Sequence, residues 1–91
     1  MNSFEWDDLK ADENIKKHKV SFVDAQEAFY DKSRVIFRDS KHSHTEERFF
    51  CLGLVNKRIM TVRFTMRNDK IRIIGAAYWR KGDKIYAQEN K

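Results

Sequence analysis

The chain predicts an α+β fold in which two N-terminal helices pack on an antiparallel sheet of three or four strands. Two observations carry this. Apolar residues recur at a spacing near 3.6 as far as Phe29 and near 2 from Arg34 onward, so helical and strand-like segments are segregated along the chain. Proline is absent, so Asn, Asp and three glycines are what punctuate the later half. Ninety-one residues that are 41% hydrophobic and 13% aromatic suffice for one modest core, so residues 1–91 are expected to form one domain rather than a disordered chain.

The elements follow in order. "FEW" at 4–6 suits a short strand or an aromatic anchor. Asp7 or Asp8 then serves as an N-cap, its carboxylate accepting a free first-turn N–H. "LKADENIKKHK" places acids early and bases late, the order that complements a helix dipole. Its apolar content is essentially Leu9, Ala11 and Ile15, so this helix is expected at the surface. In "VSFVDAQEAFYD" Ser21 caps a second helix, with Asp24 three residues on and Val20 stapling the entry. Phe22, Ala25, Ala28 and Phe29 form its buried stripe.

The strands are "RVIF" (34–37), "RFFCLGL" (48–54), "RIMTVRFTMR" (58–67) and "IRIIGAAYW" (71–79), joined by turns at "VNKR" and "RNDK". "RFFCLGL" is apolar on both faces, as for a strand covered on each side. In 58–67, Met60, Val62, Phe64 and Met66 point one way while Thr61, Arg63, Thr65 and Arg67 point the other. "KGDKIYAQEN" closes the chain as a short helix or a tail. The helices should cover one sheet face and leave the other partly open.

Charge divides the chain. Residues 1–47 carry 8 Lys/Arg against 11 Asp/Glu, and residues 48–91 carry 11 against 3. A basic half after an acidic one suits contact with a polyanion, an acidic partner protein or each in turn, and equally a basic pI that only aids solubility. The one cysteine, Cys51, reads as a small buried hydrophobe, consistent with a reducing cytosol. The start lacks the basic-then-apolar order of a secretory signal, and no apolar run approaches the roughly 20 residues that cross a bilayer. A soluble cytoplasmic protein without membrane contact is the expectation.

Chemistry-bearing residues cluster on the later strands. Arg63 and Arg67 share the polar face of one strand, with Arg72 just across the 67–70 turn. Guanidinium groups on a rigid sheet hold phosphate through paired N–H donors and stabilise charge developing on it; outward arginines are also an ordinary solvated face. "DSKHSHTEERFF" at 39–50 suits a metal site, an acid–base centre or a solvated lead-in to a strand. His42 and His44 would need a third and usually a fourth ligand to bind zinc. Glu47 and Arg48 suit a base and clamp or a plain edge ion pair, and His18 a cation at a helix end. No phosphate-cradling glycine pattern, nucleophile elbow or C-x-x-C occurs, which removes those enzyme classes.

In order along nearly the whole chain, "FEWD" at 4–7, Lys10, Asn14, "KH" at 17–18, "VSF" at 20–22, Ala25, Ala28, Phe29, Asp39, His42, Ser43, Glu46, Glu47, Arg48, Gly53, Thr65, Arg67 and "IRII" at 71–74 resemble the BrnT family of bacterial toxins. The resemblance implies a RelE-like fold and a type II toxin that cuts RNA and stops translation. It also implies neutralisation by BrnA, an antitoxin similar to ribbon-helix-helix proteins; a homodimer within that complex is left open. Such ribonucleases need neither metal nor cofactor, because the ribose 2′-oxygen attacks the adjacent phosphorus. On this reading Arg67 and Arg72 stabilise phosphate, Glu47 or His18 handles a proton, and Tyr86 stacks on a base or moves a proton. Arg48, Arg63, Arg80 and Lys81 are candidate RNA contacts. Many members read "SAR" where this chain has "GAA" at 75–77, so an arginine is missing and Arg80 or Lys81 would substitute. Lys19 stands where glycine is common. Residues 39–48 then read as the polar lip of the open sheet face, and the alternative function is a non-catalytic RNA- or partner-binding module of the same shape.

Overall fold

The computed structural model describes residues 3–91, so the first two residues of the expected 1–91 domain lie outside it. The elements are β1 (Phe4–Glu5), α1 (Asp8–His18), α2 (Phe22–Ala25) continuing as a 3₁₀ segment (Gln26–Tyr30), β2 (Val35–Arg38), a 3₁₀ turn (Ser40–His42), β3 (Phe49–Val55), β4 (Arg58–Arg67), β5 (Lys70–Ala77) and α3 (Arg80–Glu89). The expected α+β class is found, with a correction to the sheet. The sheet has five strands in the order β1-β5-β4-β3-β2 and is mixed, because β1 runs parallel to β5. Of the two forms expected for the closing segment, the helix is found, ten residues long, and it lies on the face opposite α2.

Local chemistry explains the helix ends. Asp7 caps α1, its Oδ1 accepting from the Leu9 and Lys10 amides at 2.8 and 3.3 Å. The helix stops at Lys19, left-handed at φ 60°, whose N–H donates to the Ile15 carbonyl at 2.9 Å. That is the ending glycine usually supplies. Ser21 caps α2 by accepting from the Asp24 amide at 3.0 Å. The second helix is shorter than expected because it tightens to 3₁₀ after Ala25. Three residues per turn keep Phe22, Ala25 and Ala28 in one line, each at most 1% exposed.

That line meets the sheet at Gly53, where any Cβ would run into the Ala28 backbone, and at Cys51, whose Sγ is 3.8 Å from the Ala28 carbonyl. The core on this face joins Val62, Phe64, Ile71 and Ile73 to the helices. Phe29 packs edge-on to Phe64 with centroids 5.0 Å apart. Burial pushes the Cys51 thiol up to about 12, consistent with a packing role.

Both hairpins close in two residues, Asn56–Lys57 and Asn68–Asp69, all left-handed. Paired left-handed residues form a type I′ turn, whose twist suits the flanking strands. β1 is short, but the Ile71 amide donates to the Ser3 carbonyl at 2.9 Å and Glu5 pairs with Arg72. Beyond β1 the edge of β5 is closed by Asn14 of α1. Its buried amide donates to the Ala76 and Val20 carbonyls at 2.9 and 3.0 Å and accepts from the Ala76 amide at 3.2 Å. A side chain thus replaces a sixth strand at that point.

Candidate functional site

Side-chain alternation carries a different set of residues to the other sheet face. In register there lie Leu52, Thr61 and Ala77, then Phe50, Arg63 and Gly75, then Thr65 with Arg72, then Arg67 with Lys70. A bulge between Arg63 and Phe64 slips the ladder by one residue of β5. Such bulges re-aim the side chains beside them.

Helix α3 covers one end of this face. Gly82 permits it, since a Cβ there would collide with the Thr61 hydroxyl and touch Leu52. At the other end residues 39–48 fold over the sheet as an Ω-type loop. The Asp39 amide donates to the Arg48 carbonyl at 2.7 Å. The Ser43 hydroxyl donates to the Asp39 carbonyl at 2.7 Å and accepts from the Arg48 amide at 2.9 Å. The Thr65 hydroxyl, from the middle of the sheet, donates to the Glu47 carbonyl at 2.7 Å. The stretch expected as a polar lip is therefore pinned in that position.

Between loop and helix the face is open, and its floor is both aromatic and cationic. Phe37 and Phe50 lie 5.1 Å apart, and Phe50 stacks on Trp79 at 6.2 Å. The Arg63 guanidinium is 5.7 Å from the Phe50 ring, and the Lys81 ammonium is 5.7 Å from Trp79. Within the loop, Asp39 is 5% exposed and faces two cationic or ionisable partners. His42 Nδ1 lies 2.9 Å from its Oδ2 and Arg63 Nε 3.8 Å from the same oxygen. This contact orients the half-exposed imidazole ring, with Nδ1 toward the carboxylate and Nε2 on the far side of the ring. A cavity of about 380 Å³ adjoins this group, lined by Phe50, Arg63, Gly75, Ala77, Trp79 and, from α1, His18 and Asn14 among others.

The sequence candidates fall into three groups. Arg63 and His18 meet at the cavity. Arg48 and Arg67 converge on Glu46, at 3.6 and 3.0 Å. The Arg67 hydrogen bond holds the Glu46 carboxyl below the usual range, helped by both arginine charges. Arg67 and Arg72 share the face diagonally but are held by separate acids, Arg72 by Glu5 at 3.1 Å. Arg80 and Lys81 sit on the first turn of α3, where positive charge adds to the helix dipole instead of opposing it.

The remaining two lie apart from the cavity. Glu47 is 69% exposed and pairs with Arg38 at 3.8 Å. The Tyr86 hydroxyl donates to Asp31 Oδ2 at 2.6 Å, the carboxylate that also accepts from the Leu54 amide. That places it four residues along β3 from Phe50, roughly 13 Å. Burial alone would raise the Asp31 carboxyl, but hydrogen bonds from Tyr86, Ser33 and Leu54 and the Arg34 charge bring it below its usual value. The same bond raises the Tyr86 hydroxyl. Tyr86 thus ties α3 to the 31–34 turn.

Sequence reasoning passed over Asp39 as an orienting group, and Phe50, Trp79 and Asn14 altogether as site residues. The signal available was the second apolar face of "RFFCLGL", which puts Phe50 on the arginine side. Among the described residues no three His, Cys, Asp or Glu side chains gather as a metal-binding set, and no helix is long and apolar enough to cross a membrane.

Comparison with known proteins adds one positive finding. The family model described as the ribonuclease toxin, BrnT, of type II toxin–antitoxin systems matches residues 6–83. No curated protein matches the chain.

Proposed function

This chain belongs to the BrnT family of type II ribonuclease toxins, and we propose that its open sheet face is the surface that cuts RNA. The observation that carries this is the convergence of Arg63, the Asp39–His42 pair and the Phe37–Phe50–Trp79 stack between the 39–48 loop and α3. Stacked aromatics with interleaved cations are what a single-stranded RNA needs from a binding surface.

The reaction is a metal-independent transesterification within the RNA. His42, oriented by Asp39, takes the proton of a ribose 2′-hydroxyl as its oxygen bonds to the adjacent phosphorus. Arg63 balances the charge that builds on the phosphate oxygens. The phosphorus–5′-oxygen bond breaks, and His18, across the cavity, gives that oxygen a proton. The products are a 2′,3′-cyclic phosphate and a 5′-hydroxyl. His42 is preferred to Glu47 as the base because Glu47 has no buried group to orient it. Arg67, Arg48 and Arg72 hold flanking phosphates, exchanging Glu46 and Glu5 for RNA, and Arg80 and Lys81 extend the cationic track.

The biological reading follows: a RelE-like endoribonuclease acting on cytoplasmic RNA, halting translation and masked by a BrnA-like ribbon-helix-helix antitoxin. A single observation favours a second reading. Ala77, on the open face opposite Thr61, stands where the resemblance to the family implies an arginine in many members. Without that arginine the face would serve as a module that holds RNA or only its partner without cutting it. Incubating the purified protein with single-stranded RNA in chelator separates the two. Fragments ending in cyclic phosphate are expected; intact RNA with salt-sensitive binding would replace the first reading with the second.

A further inference from the structure

The cavity beside Arg63 exists because two positions of β5 have almost no side chain. Gly75 lies opposite Arg63, and Ala77 opposite Thr61. A Cβ added at Gly75 would find its nearest neighbour 3.8 Å away, so the space above the strand is open. Trp79 and Phe50, nearly parallel at 28°, form its aromatic side. Trp79 remains 39% exposed, so part of its ring is open to a ligand. At about 380 Å³ the space is near the lower end of small-molecule sites, room for one planar ring and its sugar but not for a folded segment.

Each of these features has a purpose in one chemical setting. An aromatic side accepts the face of any planar ring, a floor without side chains lets the ring lie flat, and a guanidinium at the rim takes an attached anion. Positive charge at the rim, from Arg63, suits a ligand that carries a phosphate beside the ring.

We propose that this cavity is a nucleobase subsite: one unpaired base of the RNA enters it, packs against Trp79 and Phe50, and delivers its own phosphate to Arg63. The inference rests on the ribonuclease reading above and deepens it. Cleavage then falls beside an unstacked base. Recognition is by shape and stacking, so base preference is modest and paired RNA is excluded because its bases are not free.

The test is equilibrium binding of a 2′-O-methyl decamer, which lacks the attacking hydroxyl and stays intact, and of a set of the same decamer with one abasic position moved along it. Wild-type protein is expected to lose about 5- to 150-fold in affinity at one abasic position, the range that base–aromatic stacking commands. Trp79→Ala and, separately, Ala77→Leu should weaken the intact decamer similarly, with no further loss on the critical abasic one. The abasic series uses unaltered protein, so a variant that fails to fold does not rescue the proposal. Equal affinity of wild type for every abasic decamer overturns it, and so does a Trp79→Ala loss that persists undiminished on all of them; either leaves the aromatic patch to a protein partner. No binding of the intact decamer at all would remove the ribonuclease reading as well, a distinct outcome.

Discussion

The two faces of one sheet are built from alternating residues of the same strands, yet they are opposite in chemistry. Toward α1 and α2, Cys51, Val62, Phe64 and Ile73 are at most 5% exposed and Gly53 admits a helix backbone. On the other face, Arg63 and Arg67 keep 39% and 48% of their side chains exposed, and Trp79 stays open to solvent. Close packing on the first face stabilises the platform. Incomplete neutralisation on the second leaves cations and aromatic rings available. The lesson is that stability and activity should respond to different substitutions only one residue apart in sequence.

The largest stability effect is expected on the packed face. Phe22→Ala leaves a void under the sheet and should lower unfolding free energy by about 3–5 kcal/mol, read by urea titration. RNA cleavage per folded molecule should be unchanged. Next comes the edge between the faces: Asn14→Ala strips partners from Ala76 and Val20, at a cost of about 1–3 kcal/mol. A loss well below that would mean water or backbone replaces the amide.

Smaller still is Tyr86→Phe, expected to cost about 0.5–1.5 kcal/mol for one hydrogen bond. Its pH dependence is the sharper reading. Asp31 is held below its usual range, so its contribution is present above the ordinary carboxylate pKa of 3.8 and lost as pH falls through the lowered value. Tyr86 is raised, so its contribution is present below 10.0 and lost as pH rises through the raised value. Wild type should therefore lose this increment at both extremes, while the variant lacks it between them. Thermal melts from acid to alkaline pH check this.

The smallest stability effect belongs to the open face. Replacing Arg67 and Arg72 together by Ala breaks two solvent-screened ion pairs, so the urea midpoint should barely move. The same change should flatten the log–log salt dependence of RNA binding by about 0.7 per lost phosphate contact. An unaltered slope would detach these two arginines from the RNA path.

Local signals were legible in the sequence, and long-range ones were not. The Asp7 and Ser21 caps, both two-residue turns and the arginine stripe of β4 follow from neighbouring residues alone. The parallel β1 pairing needs Ile71, far along the chain, beside a two-residue segment that has no period to read. The side of the sheet taken by α3 depends on Gly82 fitting over Thr61, a contact no local pattern encodes. At the site, Arg63 and His18 are each visible in the sequence, but their meeting at one cavity depends on Asn14 anchoring α1 to Ala76. Asp39 is visible in the sequence as part of a polar stretch and of the family resemblance, without a role of its own. Its role appears once the loop closes and one carboxylate oxygen faces both His42 and Arg63. Tyr86 looked available because its partner, Asp31, lies 55 residues away.

The central claim is that His42 and Arg63, set on the open face by Asp39, carry out cleavage. Single-turnover cutting of single-stranded RNA in chelator, by wild type, His42→Gln and Arg63→Ala, measures it most directly alongside a melt of each protein. Rates about 100-fold or more below wild type, with melting temperatures close to it, are the expected result. Wild-type rates in both variants would contradict the account and move the chemistry off this face.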